Sequence, residues 1–190
     1  MKILMLDNYD SFTYNLVHIL RKLGYGEQLD IYRNDKIALE EVAAYDKILL
    51  SPGPGIPSEA GIMPQILKEF ASSKSILGIC LGHQAIAENF GGSLKLLHPV
   101  KHGIESRLNI INPSGIFEDV PQHSSIGHYH SWVVDPDSLP DQLEITARDE
   151  DDIIMALQHK RYHCTGLQFH PESIMTPSGE KMIENWLTQD

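Results

Sequence analysis

The sequence predicts an α/β fold with a mainly parallel central sheet, helices on both faces and an antiparallel extension. Three observations carry this. In the first half, short apolar runs alternate with apolar residues at helical spacing, and repeated βα units imply a parallel sheet covered on both sides. After Gly91-Gly92 the pattern changes to successive strand-like runs. The length of 190 residues suits one compact domain spanning 1–190, with a core large enough to hold a buried site.

Taken in order, residues 2–6 read as a strand, and Phe12, Leu16, Val17, Leu20 and Leu23 form the apolar stripe of a helix stopped by Gly24. The unit recurs as strand 28–32 with helix 37–44 behind Asp35, strand 47–50 with helix 63–70, and strand 75–80 with a helix over about 83–90. Strands then follow at 93–97, 107–111, 131–134, 143–147, 153–159 and 163–169, the last two suiting a hairpin around Lys160-Arg161-Tyr162. Met182, Ile183, Trp186 and Leu187 mark a closing helix over 179–189. No repeat, linker or low-complexity run interrupts the chain.

Composition narrows the function classes. Fifteen Lys plus Arg against 26 Asp plus Glu give a net charge of −11, which repels nucleic acid and anionic membranes alike. Hydrophobic residues at 42% and charged residues at 22% are those of a globular protein. The first residues carry one lysine and an apolar run too short for a signal peptide, and no apolar stretch approaches the length of a membrane span. A cytoplasmic protein is expected. Two cysteines, Cys80 and Cys164, cannot make a disulfide scaffold, so any role they have is chemical or apolar.

Ligands of open parallel sheets bind beyond the carboxyl ends of the strands, and two loops there stand out. Ser51-Pro52-Gly53-Pro54-Gly55 pairs glycines, which let backbone N–H groups approach a ligand, with stiffening prolines; a rigid surface turn is the plain alternative. Gly78-Ile79-Cys80-Leu81-Gly82-His83-Gln84 has the form of a nucleophile elbow with cysteine in place of serine. The aligned N–H dipoles of a helix N-terminus favour a thiolate; the alternative is a buried cysteine acting as a small hydrophobe.

A nucleophilic cysteine needs an oriented imidazole. Of the ten histidines, His170 stands out in His170-Pro171-Glu172, where i, i+2 spacing along an extended chain directs His170 and Glu172 to one side. A Cys80–His170–Glu172 triad is the functional reading, and a strand-end turn with surface side chains is its rival. His128 and His130, in His128-Tyr129-His130-Ser131-Trp132, share a face of a strand. With no companion at ligand spacing, they point to polar substrate contacts and not to a metal.

Together these motifs resemble the class I (triad) glutamine amidotransferases over nearly the whole chain: Ser51–Gly55 (SPGPG), Gly78–Gln84 (GICLGHQ), Tyr129–Ser131 (YHS) and Gln168–Ser173 (QFHPES), in family order. Within the class, Asp7–Asn15 (DNYDSFTYN) is similar to the glutaminase subunits of anthranilate synthase and aminodeoxychorismate synthase. The resemblance implies a flavodoxin-like sheet and a single glutamine amidotransferase domain. It implies attack by Cys80 on the glutamine carboxamide, with His170 as general base and then acid and Glu172 fixing its tautomer. The N–H groups of Leu81 and of the loop Gly53–Gly55, in which Pro54 stiffens the chain and has no N–H of its own, would hold the oxyanion, and Gln84, His130 and Ser131 would hold L-glutamine. No metal or organic cofactor is implied. The implied partner is a chorismate-binding synthase subunit that takes the ammonia, with Asp7–Asn15 and the loops near His130 as contact candidates.

Two positions depart from the pattern of many relatives: His128 stands where an Arg precedes Tyr-His-Ser, and Ile104 where a Lys follows His102-Gly103. Neither belongs to the triad, and both bear on the identity of the partner. Two rival functions stay open, a stand-alone γ-glutamyl hydrolase or peptidase and a non-catalytic regulatory subunit.

Overall fold

A computed structural model of the chain describes residues 1–189. Its main sheet has eight strands. β1 (Ile3–Asp7), β2 (Leu29–Arg33), β3 (Lys47–Leu50) and β4 (Ser75–Ile79) are parallel. A separate two-stranded sheet pairs β5 (Leu94–Arg107) with β7 (Ser125–Val134). The main sheet is completed by β6 (Asn109–Ile110), β8 (Leu143–Arg148), β9 (Ile154–His159) and β10 (Cys164–Leu167), in the order β2-β1-β3-β4-β10-β9-β8-β6. The helices are α1 (Thr13–Lys22), α2 (Leu39–Val42), α3 (Met63–Phe70), α4 (Leu81–Asn89) and α5 (Gly179–Thr188).

The central strands are fully buried because both faces are covered. Leu4, Leu6, Ile48 and Leu50 face α3 and α4 with Met63, Ile66, Leu67 and Ile86, while Ile3, Met5, Leu49 and Leu77 pack with Leu16, Leu20, Ile183 and Trp186 of α1 and α5. This two-sided burial is why β1 and β3 read as unbroken apolar runs and not as alternating ones.

The predicted elements 47–50 and 63–70 coincide with β3 and α3. Two expectations need correction. The helix expected over 37–44 is only Leu39–Val42, because the Glu41 carboxylate accepts the Ala38 N–H at 2.8 Å and starts the helix there. The strands expected at 93–97 and 131–134 belong to longer ones, β5 and β7, whose polar residues mask the pattern. The second half is largely antiparallel, as expected, and β10 joins it to the first: it lies parallel to β4, with Leu167 opposite Ile79, and antiparallel to β9. That insertion puts the end of β10 beside the end of β4, at the heart of the site.

Candidate active site

Cys80 follows β4 and caps α4 with φ 51° and ψ −97°. This backbone region costs a non-glycine residue about 1–3 kcal/mol and needs support from its surroundings. The support is visible. The Cys80 N–H donates to the Leu167 carbonyl at 2.7 Å, and the Gln84 N–H donates to the Cys80 carbonyl at 3.1 Å. A Cβ on Gly78 would stand 2.4 Å from the Gly82 carbonyl carbon and oxygen, and one on Gly82 would stand 2.8 Å from Leu50. The two flanking glycines therefore touch each other across the turn, which is the strand-to-helix geometry of an elbow.

The loop after β3 is held against that elbow. A Cβ on Gly53 would meet Asn8 and Leu81 within 2.8 Å, and Gly55 has φ 75°. Asn8, buried after β1, fastens the loop: its backbone N–H donates to Ser51 Oγ and its Nδ2 to the Ser51 carbonyl, each at 2.8 Å, and its Oδ1 accepts from Asn34 at 3.0 Å. The sequence placed Asn8 only within the Asp7–Asn15 motif as a candidate partner contact; its structural role in fastening the loop was not read from it, and an uncharged amide straight after a buried strand was the available signal. Asp7 organises the next turn by accepting from the Tyr9 N–H at 3.0 Å and Thr13 Oγ1 at 3.0 Å. The Asp10 carboxylate accepts the Phe12 N–H at 2.7 Å ahead of α1.

Because Leu167 pairs with Ile79, the residues that follow, Gln168 and Cys80, emerge side by side. His170 and Glu172 come next, in a turn and not on the extended chain expected. The turn still joins them: His170 Nδ1 and Glu172 Oε1 are 2.6 Å apart and both side chains are buried. The His170 N–H donates to the Gly127 carbonyl at 3.1 Å, and Thr176 Oγ1 donates to the His170 carbonyl at 2.7 Å. Phe12 and Tyr129 place ring edges on the imidazole, with centroids 5.5 and 5.0 Å away.

Burial alone would push the His170 imidazole down, but the Cys80 thiol and the Glu172 carboxylate beside it raise it well above its ordinary value, to about 10. Its Nε2 is buried without a hydrogen-bond partner. The arrangement suits an imidazolium held next to a sulfur nucleophile. Cys164 is a different thiol. It is fully buried in β10, donates to the Ala71 carbonyl at 3.2 Å and is pushed up to about 12 by burial, which makes it a packing residue.

A cleft of about 160 Å³ opens over Cys80, walled by the Gly53-Pro54-Gly55 loop, Gln84, and Tyr129 to Trp132 of β7. It brings together seven of the ten residues singled out from sequence. Leu81 lies just behind it as the first residue of α4, where helix N–H groups have no intrahelical acceptor. Glu172 lines a second, wider groove with Phe12, Asn15 and Tyr129.

His128 and His130 do share a face, but one nitrogen of each is spent on the other. His128 Nδ1 lies 3.0 Å from His130 Nε2, with Ser106 Oγ 2.5 Å from His128 Nε2. The two departures from the family pattern are cross-strand neighbours, Ile104 opposite His128. Lys101, three residues earlier, reaches Asp149 Oδ2 and Asp151 Oδ2 at 2.7 Å each. The buried Asp149 thus bolts the β5–β7 hairpin to the β8–β9 turn of the main sheet. Gln168, absent from the sequence-derived site, contacts Cys80: its Nε2 is 3.7 Å from Cys80 Sγ.

Comparison with known proteins agrees with this geometry. The family model for class-I glutamine amidotransferases matches residues 4–189. Anthranilate synthase component 2 of Azospirillum brasilense is 44% identical over 188 residues, covering 97% of this chain and 94% of that one. Aminodeoxychorismate/anthranilate synthase component 2 of Bacillus subtilis is 43% identical over 187 residues, covering 97% and 95%. A glutamine amidotransferase from Thermotoga maritima has the same fold, with a TM-score of 0.75 at 18% identity and coverage of 98% and 80%. No helix among the described residues is long and apolar enough to cross a membrane. From the elbow cysteine to the closing helix, this chain belongs to the class-I glutamine amidotransferase family.

Proposed function

We propose that the chain is the glutaminase subunit of a chorismate-using synthase, making anthranilate or aminodeoxychorismate, and that it acts in the cytoplasm. The observation that carries the catalytic part is strained Cys80 in the wall of the cleft, interacting with the imidazole of the buried 2.6 Å His170–Glu172 pair.

The cycle follows from the charges. With His170 held as imidazolium by Glu172, Cys80 attacks as thiolate. Its sulfur bonds to the side-chain carbonyl carbon of L-glutamine and the C=O electron pair moves onto oxygen. The N–H of Leu81 and those of the Gly53–Gly55 loop receive that oxyanion, a preorganised interaction worth about 3–4 kcal/mol per donor. His170 gives its proton to the departing nitrogen, the C–N bond breaks, and ammonia leaves a γ-glutamyl thioester. Neutral His170 then takes a proton from water, whose oxygen attacks the thioester and displaces the sulfur as thiolate, releasing glutamate. Glu172 keeps Nδ1 protonated throughout, so that Nε2 is the nitrogen that exchanges protons. Gln84, His130 and Ser131 line the space for the substrate. The chemistry calls on no metal or organic cofactor.

A partner belongs to the reading because ammonia in neutral water is mostly ammonium, which is no nucleophile, so transfer must precede release. The component 2 names of the relatives support a synthase partner. Contact is assigned to Asp7–Asn15, where Tyr14 stands 65% exposed, and to the loops near His130, beside the groove at Glu172, where Ile174 is 95% exposed.

The test is a tagged pull-down from native lysate, followed by a glutamine-driven assay with chorismate. Retention of a synthase whose product is anthranilate or aminodeoxychorismate fixes the pathway, and two retained synthases indicate a shared subunit. If nothing is retained and the isolated chain freely hydrolyses γ-glutamyl compounds, the reading fails and the stand-alone hydrolase replaces it.

A further inference from the structure

The Trp132 carbonyl on β7 receives two side chains at once: Gln84 Nε2 at 2.9 Å and His130 Nδ1 at 3.2 Å. A carbonyl oxygen only accepts, so this single backbone group fixes the hydrogen pattern in both directions. Toward the hairpin, His130 must carry its proton on Nδ1, which leaves Nε2 to accept from His128 Nδ1–H, and His128 Nε2 then accepts from Ser106 Oγ–H. Burial holds both rings neutral as this pattern requires, pushing His128 down to about 4 and His130 to about 3.

Toward the nucleophile, the same carbonyl turns the amide nitrogen of Gln84 to face it. The second Gln84 N–H is directed to Gln168 Oε1 at 3.2 Å. That contact leaves Gln168 one orientation, with Nε2 aimed at Cys80 Sγ, 3.7 Å away. Gln168 is fully buried and its backbone N–H is fixed to the Met155 carbonyl at 2.8 Å, so the side chain has no other polar errand in the site.

We propose that Gln168 is a further catalytic residue, whose amide N–H donates to the Cys80 sulfur and holds it as an acceptor, in an orientation imposed through Gln84 by the Trp132 carbonyl. An amide free to flip would present its carbonyl to the thiolate half the time and repel it. Trp132, on the hairpin, removes that choice, so the seating of the hairpin on the main sheet sets the environment of the nucleophile. With both Gln84 N–H groups spent, only its Oε1 remains to meet a ligand in the cleft, and Gln84 serves the substrate as an acceptor.

The proposal rests on Cys80 being the nucleophile, and its test uses no glutamine, so its failure is separable from failure of the glutaminase assay. In the full chain, the rate of Cys80 alkylation by iodoacetamide at pH 7.5 is followed by intact mass, with Cys80→Ser as blank. Gln168→Met removes the donor with little change in volume, and the rate is expected to fall roughly 10-fold, the size of a hydrogen bond to a charged group. Gln168→Glu keeps the acceptor for Gln84 but offers oxygen to the sulfur, and the rate falls further than in Gln168→Met. Rates within twofold of the parent in variants that melt cooperatively overturn the proposal, as does a Glu variant faster than the Met variant. Should either variant unfold, exposing Cys164 to the reagent, the unsubstituted side chain decides: Cys80→Ala moves a Gln168 side-chain amide proton resonance, and no movement overturns the proposal.

Discussion

Gly78→Ala tests whether the elbow, and not the mere presence of a cysteine, is what the site depends on. The added Cβ would stand 2.4 Å from the backbone carbon and oxygen of Gly82 and 2.8 Å from the His83 nitrogen. None of these atoms belongs to a flexible side chain. Ordinary contact begins near 3.4 Å, so the first turn of α4 must retreat by about 1 Å, carrying Cys80 and the Leu81 N–H with it. Overpacking of this kind costs about 1–3 kcal/mol, and for a chain of this size the melting temperature should fall by roughly 2–12 °C. A 1 Å misplacement of reacting groups is worth on the order of 100-fold in rate. Steady-state glutaminase assay of the chain with its synthase partner is therefore expected to show kcat down about 100-fold, at a temperature where the variant remains folded. A Gly78→Ala enzyme that keeps kcat within threefold of the parent would refute the reasoning, whatever its melting temperature. Gly91→Ala is the control: its Cβ meets nothing within 4 Å, and its φ of 102° strains the backbone away from the site, so stability falls and kcat holds.

Further expectations follow from the same geometry. Cys80→Ser abolishes glutamine-dependent synthesis and leaves ammonia-dependent synthesis by the partner intact; loss of both in a folded, assembled complex counts against the triad. Glu172→Gln removes the carboxylate that holds His170 as imidazolium, and kcat should drop on the order of 100-fold or more with the alkaline limb of the pH–rate profile moved to lower pH; an unmoved limb would assign it to another group. Stability carries two opposite signatures. His170, raised when folded, stabilises fully below the unfolded value near 6.5 and loses that contribution as pH rises toward about 10. His83, His128 and His130, lowered by burial to about 4, 4 and 3, bind protons only on unfolding, so stability falls as pH drops below about 6.5. Urea titrations at pH 5, 7 and 9.5 on the parent and on His83→Leu separate the two, the variant losing less at pH 5; equal losses would exclude His83 as a source.

What the sequence disclosed depended on whether a residue's environment came from its own segment or from another. Apolar runs such as 47–50 and 63–70 carry their period within themselves, and the structure returns β3 and α3 at those bounds. The elbow was legible for the same reason, since Gly78 and Gly82 serve a turn that lies wholly between residues 78 and 84. The strand β5 was not, because a hairpin of two strands leaves Lys95, His98, Lys101 and Glu105 partly or fully in solvent and erases the alternation. Gln168 was quoted only as part of a motif: its importance comes from β10 entering the sheet beside β4, a pairing across more than 80 residues that no local pattern reports.

The same consideration explains why the site is divided as it is. The proposed nucleophile, Cys80, and its proposed acid–base pair, His170 and Glu172, follow the ends of β4 and β10, two adjacent strands of a sheet buried on both faces, where register sets their spacing. The proposed substrate wall, His130 to Trp132, hangs on the β5–β7 pair, which packs on the core through Ile126 and Val134 and is tied to the main sheet by polar contacts: Lys101 to Asp149, and the Gly127 backbone to His170 and Thr176. The hydrophobic part of that contact is non-directional and by itself would admit several positions of similar energy. Hydrogen bonds to fixed carbonyls and a buried carboxylate admit one. A shift of the hairpin by a fraction of an ångström would therefore break the Gln84 and His130 bonds to the Trp132 carbonyl together, and a partner protein that grips the hairpin acts on the substrate wall and the nucleophile in a single step.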